Sequence, residues 1–346
     1  MTQPRAGGLP GRVAEHRAWF PDPRALSAGP AFGGRVERTV RASGRGRTFV
    51  DFLGGEQRLA VSMTTAARTL LGRGSWQGRV QSAPNGSVNI RCDSVGPLAW
   101  VSLHAPGTPV SPSGLLCQAW PDARPVVGEP AFGGRGWIAI PGWMTIVWHR
   151  AELIGSALPP LAPMPDIPAR LRDVRRTSPG SLLGAVSAVV DPPATVAGHV
   201  DPRALHVIAR LRAATLRLDA PRALASACDL LGLGPGLTPA GDDLLVGWAM
   251  GLAVSGPVAS HFLGTIAEPL LEAATTRTGW LSRAFLGTTL AGHAAPTARA
   301  FVSGPDEDAA IELARLGSTS GSDLLGGYLL ARHAIAASEG ADSWPP

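Results

Sequence analysis

Apolar and polar positions change rhythm along the chain. From about 33 to 149 the apolar residues come in short alternating runs bounded by glycines, as half-buried strands do: Val36, Thr39/Val40, 48–52, 59–62, 88–90, 98–103, 137–140 and 144–148. One helix is expected among them, at 64–71. Many short strands with Gly-rich turns predict a small, mainly antiparallel β barrel or sandwich. Beyond 180 the spacing is helical. Val207, Leu211, Ala214 and Leu218 share one helix face after Pro202, a good first-turn residue. Pro221 opens a second helix that ends at Gly232, placed as its C′ residue. Further helices are expected at 244–254, 258–276, 280–290, 306–316 with Asp306 as N-cap, and about 323–337. The residues before 28 are Pro-, Gly- and Arg-rich, with a short helix expected at 14–20. The fold class expected is therefore α+β, a β-rich domain followed by a helical one. The boundaries follow composition: an irregular segment 1–28, a β-rich domain 29–154, a Pro-rich linker 155–180, a helical domain 181–338 and a frayed tail 339–346.

The helical rhythm is interrupted once in a specific way. Residues 230–251 read LLGLGPGLTPAGDDLLVGWAMG. Gly232, Gly234, Gly236 and Gly241, with Pro235 and Pro239, give a loop of defined shape, since glycine permits positive φ and proline fixes φ. The loop delivers Thr238, Gly241, Asp242 and Asp243 to a helix start, where N–H groups are free and the dipole is positive. The final helix echoes this. Ser318-Thr319-Ser320-Gly321-Ser322-Asp323-Leu324-Leu325-Gly326-Gly327 lines up with Thr238 to Gly247, with Gly, Asp, Leu, Leu and the last Gly coinciding. The expectation is that the two helix starts face one pocket, an anion site of N–H groups and hydroxyls. For the second segment alone, ordinary capping by Asp and Ser/Thr is the competing reading. One of Asp242 and Asp243 is expected to cap; the other is free to bind Mg²⁺ or a substrate N–H. Arg277 follows on the next helix and suits a carboxylate or phosphate as well as plain solvent exposure.

Composition narrows the chemistry. With 346 residues the chain exceeds the size at which one core usually stops growing. All of its 31 basic residues are arginine, which excludes a Walker A lysine, a Schiff-base lysine and a lysine base. The net charge of +5 is spread along the chain and aromatic residues are few, so nucleic-acid binding is not expected. Three scattered cysteines fit reduced thiols, and the eight histidines lack metal spacing. No metal ligand is assigned and no cofactor is identified, with Mg²⁺ left open. With no apolar leader and no apolar stretch long enough to span a membrane, a cytoplasmic location is expected. A second repeat, Pro30-Ala31-Phe32-Gly33-Gly34-Arg35 and Pro130-Ala131-Phe132-Gly133-Gly134-Arg135, reads as two similar turns opening strands, with a ligand-facing pair of Gly-Gly-Arg turns as the other reading.

The pattern G-x-G-x-G-L-T-P-x-G-D-D-L-L-x-G resembles the signature of the AllH-type family, which includes a subunit of bacterial oxamate carbamoyltransferase, an enzyme of anaerobic allantoin breakdown. The resemblance covers mainly 180–337. It is strongest at 232–247, with a second feature at 317–327, where a His or small polar residue is expected after the first glycine and this chain has Ser318. It implies a carbamoyltransferase subunit that works with other subunits. The reaction would be phosphorolysis of oxalurate to oxamate and carbamoyl phosphate, or its reverse. Phosphate and a ureido carbonyl must then lie in line, with donors for the oxyanion. Asp242, Asp243 and Thr238 are the expected catalytic residues. Gly234, Gly236, Gly241, Arg277, Ser318, Thr319, Ser320, Gly321 and Asp323 are the expected substrate-binding ones. The other class of function is a non-catalytic small-anion-binding or assembly subunit of a multi-protein nitrogen-metabolism enzyme.

Overall fold

The computed structural model describes residues 56–177, 181–190 and 202–341. The strands expected at Val36, Thr39/Val40 and 48–52, the helix at 14–20 and the first Pro-Ala-Phe-Gly-Gly-Arg copy lie outside them. Nine strands come first: β1 Glu56–Thr64, β2 Trp76–Ser82, β3 Ser87–Arg91, β4 Trp100–His104, β5 Gly114–Cys117, β6 Pro130–Gly134, β7 Trp137–Ile140, β8 Met144–Val147 and β9 Glu152–Ile154. They hydrogen-bond in the order β5-β4-β3-β2-β6-β7-β8-β1, and β1 pairs back with β5, so eight strands close a barrel. Most of the pairings are antiparallel; β1–β8, β1–β9 and β4–β5 are parallel. Closure leaves no edge among the eight. Thr64 ends β1 and caps helix α1 (Thr65–Leu71), its hydroxyl accepting the Ala67 N–H at 3.2 Å.

The α+β expectation holds. The second Pro-Ala-Phe-Gly-Gly segment is not a turn opening a strand; it is strand β6 itself. A Cβ on Gly133 would lie 2.0 Å from the Trp76 ring, and one on Gly134 2.6 Å from that of Trp137. The paired glycines are beds for two indoles, a packing role.

The helices are α2 Ile167–Thr177, α3 Leu183–Val190, α4 Pro202–Leu216, α5 Ala220–Leu230, α6 Ala240–Ala253, α7 Pro257–Arg277, α8 Trp280–Leu290, α9 Pro296–Ser303, α10 Glu307–Ala314 and α11 Ser320–Ala341. Asp306 caps α10 as expected, accepting the Ala309 N–H at 2.8 Å. The Pro-rich stretch before α2 is tied down. Leu161 bridges to Ser255, and the buried Arg332 of α11 donates to the Ala162 carbonyl at 3.1 Å and the Tyr328 hydroxyl at 3.0 Å. Helices α6 and α11 are buried on nearly all sides and form the centre of this half. Trp248 of α6 is fully buried, and its indole N–H donates to the Thr215 hydroxyl at 3.0 Å, so the burial leaves no polar atom unmet.

The barrel meets the helices along α8. Trp100 donates to Thr288 at 2.9 Å and packs on Phe285, and Ser156 bonds His293 at 3.1 Å. Among the described residues no helix is long and apolar enough to cross a membrane.

Candidate functional site

The two echoing segments are two copies of one structural unit. In each, a helix carries a leucine at or next to its last residue (Leu230, Leu313), a turn follows, and a central helix has glycine as its second residue (Gly241, Gly321). The Leu233 N–H bonds the Leu230 carbonyl at 3.0 Å, and Leu316 bonds Leu313 at 3.1 Å. The Gly241 N–H bonds the Leu233 carbonyl at 2.9 Å, and Gly321 bonds Leu316 at 2.9 Å. A Cβ on Gly241 would lie 2.1 Å from the Leu230 carbonyl oxygen; one on Gly321 would lie 1.9 Å from that of Leu313. Only glycine fits at either place. The two central helices then cross with reciprocal contacts. A Cβ on Gly247 would meet the Leu324 carbonyl at 1.8 Å, and one on Gly327 the Leu244 carbonyl at 1.9 Å. Exchanging 244 with 324 and 247 with 327 maps each contact onto the other, so α6 and α11 are related by an approximate two-fold axis.

That axis brings the predicted residues together. The Thr238 and Ser320 hydroxyls lie 3.1 Å apart, and both hydrogen-bond the Asp243 carboxylate. Asp323, the two-fold mate of Asp243, has no exposed surface; its Oδ1 accepts the Leu182 N–H at 2.7 Å. Each aspartate keeps a buried Oδ2 with no hydrogen-bond partner. Burial pushes both carboxyls up to about 7, and the charge of Asp323 adds to the effect on Asp243. Near neutral pH both groups sit close to the midpoint of their titration, each ready to donate or to accept a proton. Buried carboxylate oxygens without partners are uncommon and call for a ligand or a function.

Other expected residues are placed differently. Asp242 is structural: one oxygen accepts the Gly232 N–H at 2.8 Å and the other accepts the Thr278 hydroxyl. Neither Asp242 nor Asp243 caps α6, because Pro239 occupies the N-cap position and no side chain bonds there. The expected anion cradle of free N–H groups is not found at these donors. Those of Gly241, Asp242, Asp243, Gly321 and Asp323 all bond carbonyls of their own turns. What the two starts offer instead is hydroxyls and carboxyls, acceptors suited to N–H groups. Arg277 bonds the Cys228 carbonyl at 3.0 Å and ties the end of α7 to α5. Gly241 and Gly321 serve packing. Gly234 and Gly236, with φ of 110° and 105°, shape the exposed loop. Ser318 is exposed, and Thr319 lies beside Asp323 and bonds it. Among the described residues no cluster of three or more His, Cys, Asp or Glu side chains could hold a metal. Cys92 and Cys117 are buried with their thiols pushed up, Cys117 to about 12, and are unreactive packing groups.

Sequence reasoning did not find the Leu182 N–H that holds Asp323, because nothing local to 181–190 signals a partner so far along the chain. It also did not find the cleft between barrel and helices. That cleft has a volume of about 460 Å³ and is bounded by α1, the β3–β4 turn, α7 and α8. Its lining shares no residue with the signature loop. The first turn of α8 joins the two, since the Ser282 hydroxyl bonds the Leu237 carbonyl while Arg283 lines the cleft.

No curated protein and no solved structure shows a significant match to this chain. Residues 230–332, which carry both turns, both central helix starts, Asp243, Asp323 and Arg283, match the family model described as oxamate carbamoyltransferase subunit AllH, the family that the Gly-rich segment resembles.

Proposed function

We propose that this chain is a subunit of a carbamoyltransferase that moves a carbamoyl group between an oxalurate-like ureido acid and phosphate, in concert with partner subunits. The observation that carries the reading is the pair of aspartates, Asp243 and Asp323, each with a buried oxygen left unbonded. A ureido group presents N–H donors on one side, and carboxylate oxygens are the acceptors that match them. A phosphate oxygen attacks the ureido carbonyl, forming a C–O bond. The bond from that carbon to the nitrogen on the acid side breaks, and the leaving nitrogen takes a proton. A carboxyl near neutral pKa supplies that proton, and its two-fold mate stays ionised to hold the N–H groups. Thr238 and Ser320 orient Asp243. Helix-start N–H groups engaged within their own turns leave the phosphate to be bound by the exposed loop or by a partner subunit.

The test is carbamoyl phosphate formation from oxalurate and phosphate by this chain co-purified with its partners. Asp243→Asn and Asp323→Asn should each lower kcat by about a hundredfold or more, the scale of a lost proton-transfer group, with assembly intact by gel filtration. Turnover unchanged in both variants would refute the assignment. One observation favours the second reading, an assembly subunit whose loop completes a partner's site: Leu237, at the loop tip, is 58% exposed. On that reading Leu237→Ser abolishes co-purification, while the two Asn variants leave turnover as it was.

A further inference from the structure

The cleft between barrel and helices has features that packing alone does not require. Its walls are mainly apolar, with Leu70, Leu98, Trp100 and Leu271 among them. The Trp100 indole N–H is already held by Thr288, so this wall offers the cleft no hydrogen. At one side stands Arg283 of α8. Its Nε is buried without an acceptor, and among the described residues the side chain has no ion-pair partner. A guanidinium is charged at all relevant pH and keeps its donors, so a buried, unsatisfied Nε there calls for an oxyanion. On the α7 wall stand Glu268 and Glu272, both exposed and without an ion pair among the described residues. They disfavour a second negative group beside the one that Arg283 can hold. The remaining titratable groups on the lining are Arg73 and His293; Ser156 bonds the latter's Nδ1, and burial holds its ring toward the neutral form.

The floor is kept open by one residue. Gly287 faces Leu98 and Leu271, and a Cβ there would already stand 2.9 Å from the Leu98 methyl. A volume of about 460 Å³ exceeds what phosphate or a small ureido acid fills and falls in the usual range for small-molecule sites.

We propose that this cleft is a second ligand site, distinct from the paired aspartates, that binds an organic molecule with an apolar body and a single oxyanion held by Arg283.

The probes are 2-naphthoate and 2-naphthamide, matched in shape and differing in charge, titrated calorimetrically into the full chain. Naphthoate should bind at least tenfold more tightly than the amide, the scale of one charge-assisted hydrogen-bonded contact. Arg283→Gln should level the two. Gly287→Leu should weaken both by filling the floor. Thr275→Trp, at the exposed rim, is the blocking variant that does not depend on the core tolerating a leucine. Near-ultraviolet circular dichroism checks that each variant is folded. Equal affinities for the two probes, no binding of naphthoate, or a naphthoate preference that survives Arg283→Gln would each overturn the proposal. Neither probe carries a ureido N–H group, so the result does not depend on the carbamoyl reading.

Discussion

The first copy of the repeated unit, α5 to α6, differs from the second, α10 to α11, mainly in its turn. Residues 234–240 fill the first turn and residues 317–320 the second, so the first is three residues longer. All else that the fold needs is common to both: the leucine carbonyl against glycine, the N–H bonds that close the turn, and the reciprocal glycine crossing. The second copy therefore shows how little is required to connect the helices. It makes the turn with Gly317 at φ 63° and three hydroxyl residues. The extra Pro-Gly-Leu of the first copy is exposed, and what it adds is the long hydrogen bond from the Ser282 hydroxyl to the Leu237 carbonyl. The three extra residues, Pro235-Gly236-Leu237, bring one more positive-φ glycine and a bare leucine, and we read them as a functional addition to a repeated scaffold.

The common part is the easiest to break. Gly247→Ala and Gly327→Ala each drive a methyl into a backbone carbonyl at less than 2 Å. Backbone on a buried crossing has little room to yield, so each should destabilise the protein by about 3 kcal/mol or more, and by similar amounts if the two-fold relation is real. Gly326→Ala is the control next door. Its Cβ would sit 3.4 Å from Val186, an ordinary contact. There the higher helix propensity of alanine should leave stability unchanged or raised by up to about 1 kcal/mol. Urea denaturation of the three variants decides this. A Gly326→Ala as damaging as the other two would show that the helices do not cross as described.

The paired aspartates come next in size. Burial raises each folded-state pKa to about 7, from an unfolded value of 3.8. A carboxyl raised in this way binds more protons when folded than when unfolded between those two values. The folded state is thus favoured at low pH and loses stability as pH rises from about 4 to about 7, with a plateau above. Asp323→Asn keeps the acceptor for the Leu182 N–H and removes the titration. It should melt at a higher temperature than the wild type at pH 8, gain little at pH 4.5, and lose turnover. Stability gained where activity is lost marks a residue kept for function rather than for the fold. An Asp323→Asn protein less stable at pH 8 would make Asp323 a structural acceptor only.

How much of this the sequence foretold depends on whether the cause is local. Helical periodicity and the cap at Asp306 are local, and they were readable. The Gly-Asp-Leu-Leu echo was readable as well, and it pointed to Asp243 and Asp323 together. What the glycines of that echo do was not, because Gly247 acquires its meaning from the Leu324 carbonyl, which only the fold brings near. That the N–H groups of Gly241, Asp242, Asp243, Gly321 and Asp323 are engaged was hidden for the same reason: they are taken by carbonyls whose position follows from the turn. Strand β6 looked like a turn because its two glycines are strand breakers until Trp76 and Trp137 cover them. Strand β2 escaped notice because a bulge between Val80 and Ser82 spoils its alternation. Arg283 stood in view in the sequence, but an unpaired guanidinium is a property of surroundings.

The gentlest change isolates the extra residues themselves. Deleting Pro235-Gly236-Leu237 leaves Gly234-Thr238-Pro239-Ala240, the length of Gly317-Ser318-Thr319-Ser320 and with glycine at the same place. Thr238, Gly241 and Asp243 remain, and so does the leucine-to-glycine hydrogen bond that closes the turn. The deletion removes the hydrogen bond from the Ser282 hydroxyl to the Leu237 carbonyl, a long one at 3.4 Å. Loop-closure entropy changes little for so few residues, so stability should move by less than about 1 kcal/mol. Activity of the assembled enzyme, or assembly itself, should nevertheless be lost. The two outcomes separate the readings of the loop: intact assembly with no turnover assigns it to the reaction, and failed assembly assigns it to a partner. A shortened protein that assembles and turns over normally would show that the first turn, like the second, is only a connection.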